Sequence, residues 1–128
     1  MEKTEFLKEL DSPERFKKLN DGWIRDSLLG LDWGPSSEDV MDFKEANEYC
    51  EKLGARLPES RELFSLVDHS KKNPACLLDD MKHDDWYWTN TLVAGYPENA
   101  WCVTFVFGDV NFGNKVNNNY VRPVRASQ

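Results

Sequence analysis

A sharp joint between two predicted helices constrains the fold of this chain more than any other feature of its sequence. The joint lies in residues 49–63, where one helical pattern ends and another begins with almost nothing between them. Gly54 can adopt the left-handed conformation that closes a helix, and Pro58 prevents simple continuation. Strand-like segments follow at Trp86 and at residues 101–107. This order predicts an α+β fold, with two main helices packed on a twisted antiparallel sheet.

The N-terminal part is expected to begin with helical turns. Ser12 is a candidate helix cap and Pro13 suits the first helical position, so residues 1–20 are predicted to form an N-terminal helical extension. Residues 23–35 contain two short extended pieces around a turn, a pattern typical of a hairpin. We therefore assign residues 21–128 to the main domain.

The helices and the later strands follow from periodicity. The first helix is predicted from about Val40 to Leu53, with capping residues just before it, and the second from about Glu59 to Asp68. Strands are predicted at residues 86–91 and 101–107, with a tight turn at Gly108-Asp109. A last strand at residues 120–125 contains a proline, so it belongs at a sheet edge or beside a bulge.

The charge of the chain disfavours nucleic acid and anionic lipid as direct partners. The net charge is −7 over 128 residues, and the segment from Trp101 onward carries +2, so residues 1–100 carry −9. Such a surface repels phosphate groups and favours a basic protein, or a protein that itself holds nucleic acid. The alternative is that the charge only confers solubility.

The cysteines and the first residues indicate a reducing compartment. Residues 1–10 alternate in charge and lack the apolar run of a secretion signal or membrane span. Cys50, Cys76 and Cys102 are an odd number, which favours free thiols without a disulfide. We expect a cytoplasmic protein, with an exported form whose signal was removed as the alternative.

An ordered set of motifs resembles the Lcl C-terminal domain family over about residues 20–126. In chain order the motifs are Asp21-Gly22-Trp23-Ile24-Arg25-Asp26, Gly30-Leu31-Asp32-Trp33, Glu45-Ala46, Tyr49-Cys50, Arg56-Leu57-Pro58, Arg61-Glu62-Leu63, Tyr87-Trp88-Thr89 and Val121-Arg122-Pro123-Val124-Arg125. The resemblance implies a C-type-lectin-like fold and a small binding domain of bacteria or phages. It also implies a relation to the variable proteins of diversity-generating retroelements and, in shape, to formylglycine-generating enzymes.

Three departures from the family pattern bear on function. Glu59 stands where the family often has a threonine, so Ser60 is a candidate substitute cap. Pro123 stands where exported relatives often have a cysteine, which leaves Cys50 without its implied partner. The calcium-and-sugar motif of true C-type lectins is absent, because residues 96–99 have the wrong order. Calcium-dependent sugar binding is therefore not implied.

An asparagine-rich segment near the C-terminus is the first candidate binding site. Five of the nine residues in positions 111–119 are asparagines, namely Asn111, Asn114, Asn117, Asn118 and Asn119. Together with Lys115 and Tyr120 they offer donors and acceptors for an adaptable polar contact. The resemblance places the variable stretch of retroelement relatives in this region. The alternative is an ordinary turn with left-handed asparagines.

Aromatic and acidic side chains complete the predicted binding set. Alternation puts Trp86 and Trp88 on one face of a strand, and an exposed indole would be a binding hot spot. The other candidates are carboxylates that could face a basic partner, namely Asp84, Asp85, Glu45 and Glu48.

Metal binding and catalysis are weaker alternatives. Asp79, Asp80, Asp84 and Asp85 could hold calcium, but they lack the ligand order and glycine of a calcium loop. A zinc site from His69, Cys76 and His83 lacks the usual paired spacing. No nucleophile stands in a motif with its base, so we predict no catalytic residue, cofactor or metal ion.

The sequence thus predicts a non-enzymatic module that binds a macromolecule through loops between about Asp79 and Tyr120. The leading hypothesis is protein binding in a bacterial cell, as a phage-encoded inhibitor of a host defence system. One alternative is a receptor- or glycan-binding adhesive domain that uses the asparagine segment. A second is a metal-dependent enzyme related to formylglycine-generating enzymes.

Overall fold

The computed structural model describes residues 3–128. These residues form short helices and two antiparallel sheets. The helices are α1 (Lys3–Leu10), α2 (Phe43–Lys52) and α3 (Ser60–Phe64), with a 3-10 turn at Pro13–Arg15. The strands are β1 (Phe16–Lys18), β2 (Ile24–Asp26), β3 (Leu31–Trp33), β4 (Trp86–Val93), β5 (Tyr96–Thr104), β6 (Asp109–Asn114) and β7 (Val124–Ala126). The predicted α+β class is confirmed, and the strands are divided between two sheets.

The first sheet has the strand order β1-β2-β3-β7, and all its neighbours are antiparallel. The hairpin predicted in residues 23–35 is formed by β2 and β3, with Asp26 opposite Leu31. Strand β7 pairs with β3 and begins directly after Pro123. The predicted strand at residues 120–125 is thus shorter and later than expected: it is the last strand of this sheet, excludes the proline, and bridges to Arg56 at Val124.

The second sheet is an antiparallel meander of β4, β5 and β6. Strand β4 extends further toward the hairpin turn than predicted, and β5 begins earlier and ends at Thr104. Phe107 therefore lies in the turn before β6 and not in a strand. Gly108 in this turn has φ +87°, and a Cβ there would collide with the Val67 side chain, so glycine is required.

The sequence predicted a helical extension over residues 1–20. The structure differs, because Phe16–Lys18 form β1 and pair with β2. Arg15, just before β1, donates to Asp26 through Nε at 2.9 Å and through Nη2 at 2.8 Å. Both side chains are fully buried. Asp26 also accepts from the indole of Trp33 at 3.0 Å. This buried ion pair fixes the N-terminal segment against the first sheet.

Helix α2 begins at Phe43, three residues later than predicted. Asp42 is its cap, since Asp42 Oδ1 accepts from the Glu45 amide at 2.9 Å and Glu45 Oε1 accepts from the Asp42 amide at 3.1 Å. The earlier residues are engaged elsewhere, because the Met41 and Asn119 backbones exchange two hydrogen bonds of 2.9 Å. The helix ends as predicted, with Gly54 just beyond it at φ +68°.

Helix α3 ends at Phe64, four residues earlier than predicted. The chain turns away there because the Leu66 carbonyl accepts from the Leu77 amide at 2.8 Å and the Asp68 amide donates to Ala75. Ser60 does not act as the cap. Instead, the hydroxyl of Thr91 on β4 accepts from the Ser60 amide at 2.9 Å. Glu59 itself is the N-cap residue, and Glu62 Oε1 accepts from its amide at 2.7 Å, so Thr91 supplements a local capping box.

Two hydrophobic clusters cover opposite faces of the second sheet. Tyr87 and Val103 belong to the first cluster, and Trp88 and Cys102 belong to the second, as the alternation of side chains along a strand requires. The first also contains Leu31, Trp33, Leu63, Leu66, Cys76, Leu78, Met81, Phe105 and Val124. The second also contains Ala46, Cys50, Leu57, Ala100 and Val121. Helix α2 therefore covers one face and α3 the other.

Within residues 3–128, no helix combines the length and the apolar character that a membrane crossing requires.

Candidate functional site

The five predicted asparagines lie along β6 and in the loop that follows it. Asn111 and Asn114 are on β6, and Asn117 and Asn118 are in the loop, and all four are exposed. Asn119 is buried, and its side chain donates to the Cys102 sulfur at 3.6 Å. The segment thus contains both structural and available carboxamides.

The hydrogen bonds separate these two roles. Asn114 Oδ1 accepts from the Val116 amide at 3.0 Å, which is an ordinary turn contact. Asn111 Oδ1 accepts from the next amide in the chain, at 2.8 Å, and its NH₂ group makes no bond within residues 3–128. The side chains of Asn117 and Asn118 make no hydrogen bond within the same range. Turn formation therefore explains Asn114 but not Asn117 or Asn118.

A small cavity of about 180 Å³ brings four of the predicted residues together. Its lining consists of Trp86, Cys102, Asn111, Phe112, Gly113, Asn117 and Asn119, and we call it the amide pocket. The register of β5 and β6 forms it, because Asn111 lies opposite Cys102 and Gly113 lies opposite Ala100. Carboxamides both donate and accept, and the half-buried indole adds an apolar wall. The pocket suits an uncharged polar group.

The opposite face of β6 is apolar and exposed. Val110 and Phe112 alternate with Asn111, so they share a face with Trp101 on β5, and we call these three residues the apolar strip. Phe112 is 53% exposed, and its ring meets the Trp101 ring edge-on with 5.7 Å between centroids. Sequence reasoning missed Val110 and Phe112. Their alternation with polar residues was a usable signal, but it does not reveal whether that face is covered.

Strand β6 is also the open edge of its sheet. At the opposite edge, the backbone of β4 is paired, since the Trp88 amide donates to Tyr120 at 3.0 Å and the Tyr120 amide donates to Trp86 at 2.8 Å. On the outer side of β6, no strand pairs with it among residues 3–128. An unpaired apolar edge is a template for another strand.

The remaining basic and aromatic candidates, Lys115 and Tyr120, do not line the amide pocket. The Lys115 ammonium sits 4.9 Å from the centre of the Phe43 ring, so this side chain anchors the start of α2. Tyr120 is half-buried near the edge of β4, and its hydroxyl donates to Asp84 at 3.3 Å. Burial and this carboxylate raise the pKa of the Tyr120 phenol. The structure therefore separates Lys115 and Tyr120 from the amide pocket.

The acidic candidates are dispersed as well. Asp85 accepts from the Trp86 amide at 2.8 Å, and Glu45 is half of the α2 cap, so both have local structural roles. Glu48 is exposed on α2. Asp80 pairs with the buried Arg122 at 2.9 Å. Within residues 3–128, no three His, Cys, Asp or Glu side chains are grouped so that they could hold a metal ion.

The three thiols are buried in the core. Burial raises the pKa of Cys50, Cys76 and Cys102 to about 12 in each case. None of the three forms a disulfide within residues 3–128. Because their pKa values lie far above neutral pH, all three are protonated at pH 7. A thiolate nucleophile is disfavoured at each position.

A family model described as the Lcl C-terminal domain matches residues 22–125. The match includes the amide pocket, the apolar strip and both main helices. Helix α1, the 3-10 turn and β1 precede it. A comparison with curated proteins found no match.

Proposed function

The chain belongs to the Lcl C-terminal domain family and is a small binding domain; from this premise we propose that it binds a protein partner through β6 and the loop after it. The partner adds an extended segment to the open edge of β6. Backbone hydrogen bonds then supply affinity, and the side chains of the added strand supply specificity.

The exposed apolar strip on an open strand edge is the observation that carries this proposal. Among the described residues, six of eleven large exposed apolar side chains belong to the second sheet and its loops, and the other five lie on or beside the helices. The six are Leu92, Tyr96, Phe107, Val110, Phe112 and Val116. The strands of the first sheet present none among residues 3–128. Concentrated exposed apolar surface is typical of a binding site in a soluble domain.

The two faces of β6 give the proposed site two kinds of contact. A strand paired with β6 places successive side chains on opposite faces of the sheet. Apolar side chains of the partner therefore meet Val110 and Phe112, and polar ones reach the amide pocket beside Asn111 and Asn117. Large rigid aromatic anchors with adaptable amides nearby are a common composition for protein recognition.

The proposed activity is non-enzymatic, and the buried thiols support this. A protonated thiol with a pKa of about 12 is a poor nucleophile at neutral pH. A more specific hypothesis names the partner: a protein of a bacterial defence system, which this chain would inhibit in the cytoplasm. The small size and the acidic charge of the chain support this hypothesis.

A capture experiment tests the proposed function. We expect the tagged protein to capture a stoichiometric protein from bacterial lysate, and Phe112→Ser to weaken binding of that protein about tenfold or more, because a truncated hot spot loses much of the interface energy. Phe6→Ser makes the same change at an exposed phenylalanine of α1, which is 38% exposed against 53% for Phe112, and serves as the control. Equal binding by the two variants would refute the role of β6.

A second candidate is a receptor- or glycan-binding domain, and the amide pocket favours it. An indole beside several carboxamides suits a small polar ring as well as a peptide group. In the same experiment this candidate predicts that Asn117→Ala abolishes capture, while Val110→Ser, an exposed residue outside the amide pocket, does not.

A further inference from the structure

Two adjoining cavities lie between residues 11–24, which include β1, and the segment that connects α3 to β4. They share no residue with the amide pocket or the apolar strip. Their volumes are about 580 Å³ and 320 Å³, and both are lined by Pro13, Phe16 and Leu77. We call the pair the N-terminal groove. Its larger cavity falls within the range of about 300–1,000 Å³ that ligand sites occupy.

The floor of the N-terminal groove is apolar and held in place. The Phe16 ring lies 4.7 Å from the guanidinium of Arg15, which the buried ion pair with Asp26 fixes. Leu78 is 5% exposed and belongs to the first hydrophobic cluster, so it ties the floor to the core. A floor that is already ordered costs little to bind against.

Carboxylates border both cavities. Asp79 and Asp80 line the larger one, and Asp11 and Asp68 line the smaller one. Asp80 is oriented by Arg122 through Oδ1 at 2.9 Å, yet its side chain is 55% exposed, which leaves Oδ2 accessible. Asp79 is exposed and forms no ion pair within residues 3–128.

The cations of the groove do not balance these acids. They are Lys18 in the larger cavity and Lys71 in the smaller one, and Lys71 lies 3.9 Å from Asp68. Arg122 also neutralises Asp80, so four carboxylates meet three cations, and Asp11 and Asp79 form no ion pair within residues 3–128. The groove therefore combines apolar side chains with a small net negative charge.

We propose that the N-terminal groove binds an extended peptide segment of a partner protein, with an apolar side chain over Phe16 and Leu77 and a lysine or arginine on either side. Charge complementarity selects this occupant, since the groove and the whole chain are acidic. The proposal goes beyond β6 binding. Residues 13–18 of the groove also precede the family match, so this chain supplies part of the site independently of the family pattern.

A blocked pentapeptide with lysine at both ends, leucine at its centre and glycine between them tests the proposal. We expect saturable changes in the amide NMR signals of Phe16, Leu77 and Asp79. Asp79→Asn should weaken binding about two- to fivefold, which is the usual effect of one exposed charge pair. Asp39→Asn makes the same change at an exposed acid outside the groove and should have no effect.

Two further peptides decide the outcome. Peptides with glutamate at both ends, or with serine at the centre, should bind more weakly than the lysine–leucine peptide. Equal binding of either one, equal effects of Asp79→Asn and Asp39→Asn, or no signal change would overturn the proposal. Phe112→Ser should leave the titration unchanged, so failure at the groove is distinguishable from failure at β6.

Discussion

Asp32 is a fully buried carboxylate that joins β3 to two other parts of the first sheet. It accepts from Arg25 Nε at 3.0 Å, from Ser127 Oγ at 2.9 Å and from Arg125 Nε at 3.3 Å. The hydrogen bond from Arg25 is the main cause that lowers the pKa of Asp32, against the opposing effect of burial. Because the folded pKa lies below the unfolded one, ionised Asp32 stabilises the fold above the unfolded pKa, and this stability is lost as the pH falls through the folded pKa.

Replacement of this carboxylate should therefore have a pH-dependent cost. We expect Asp32→Asn to lower the free energy of unfolding by about 1.5–3 kcal/mol at pH 7, the range for hydrogen bonds to charged groups. The difference from the unmodified protein should shrink below about pH 4, where the carboxylate of the unfolded chain becomes protonated. Urea unfolding at several pH values measures it, with Asp39→Asn as the exposed control. A difference that stays constant down to pH 3 would contradict the assignment.

Sequence patterns could not identify these buried charges. Hydropathy places aspartate and arginine on the surface, because they are rarely buried without a partner. The partners here are distant in sequence, as in Asp32 with Arg125 and Arg15 with Asp26. The structure brings Trp86, Asn111 and Asn117 of the predicted binding set to one pocket. The sequence gives no sign that Lys115 and Tyr120 lie outside that pocket.

At the scale of elements, most of the order of helices and strands was predictable, but β1 and the ends of the elements were not. The Ser12 cap, Gly54 and the alternation around Trp88 are local signals that the structure follows, whereas the caps predicted for α2 and α3 are not the observed ones. The start of α2 and the end of α3 depend instead on backbone pairing of Met41 with Asn119 and of Leu66 with Leu77. Such long-range contacts override local propensity.

Strand β1 should be essential to the fold, while α1 should not. Removal of residues 2–20 deletes β1 and Arg15 and leaves Asp26 buried without its partner, so we expect a loss of at least about 3 kcal/mol in unfolding free energy. Removal of residues 2–9 keeps Arg15 and its acceptor at the Leu10 carbonyl, and we expect a cost of about 1 kcal/mol or less. Chemical denaturation measures both. Equal stability of the two truncated chains would disprove the role given to β1.

For the whole molecule, the second sheet connects the core to the proposed binding strand. Its two buried faces hold β4 and β5, and among residues 3–128 no strand pairs with the outer side of β6. The acidic composition predicted a basic partner but could not locate the contact, because charge acts over long distances. The binding residues predicted from the sequence span residues 45–120. In the structure they lie on β6 and the loop after it, near the edge of β4, and on the outer face of α2.

Hydrogen exchange of the protein, free and bound to its captured partner, tests the central claim most directly. Strand addition at β6 predicts that the largest new protection of backbone amides falls in residues 109–118, since their outward groups become paired. Protection confined to α2 or to β1, with β6 exchanging as it does in the free protein, would contradict the account.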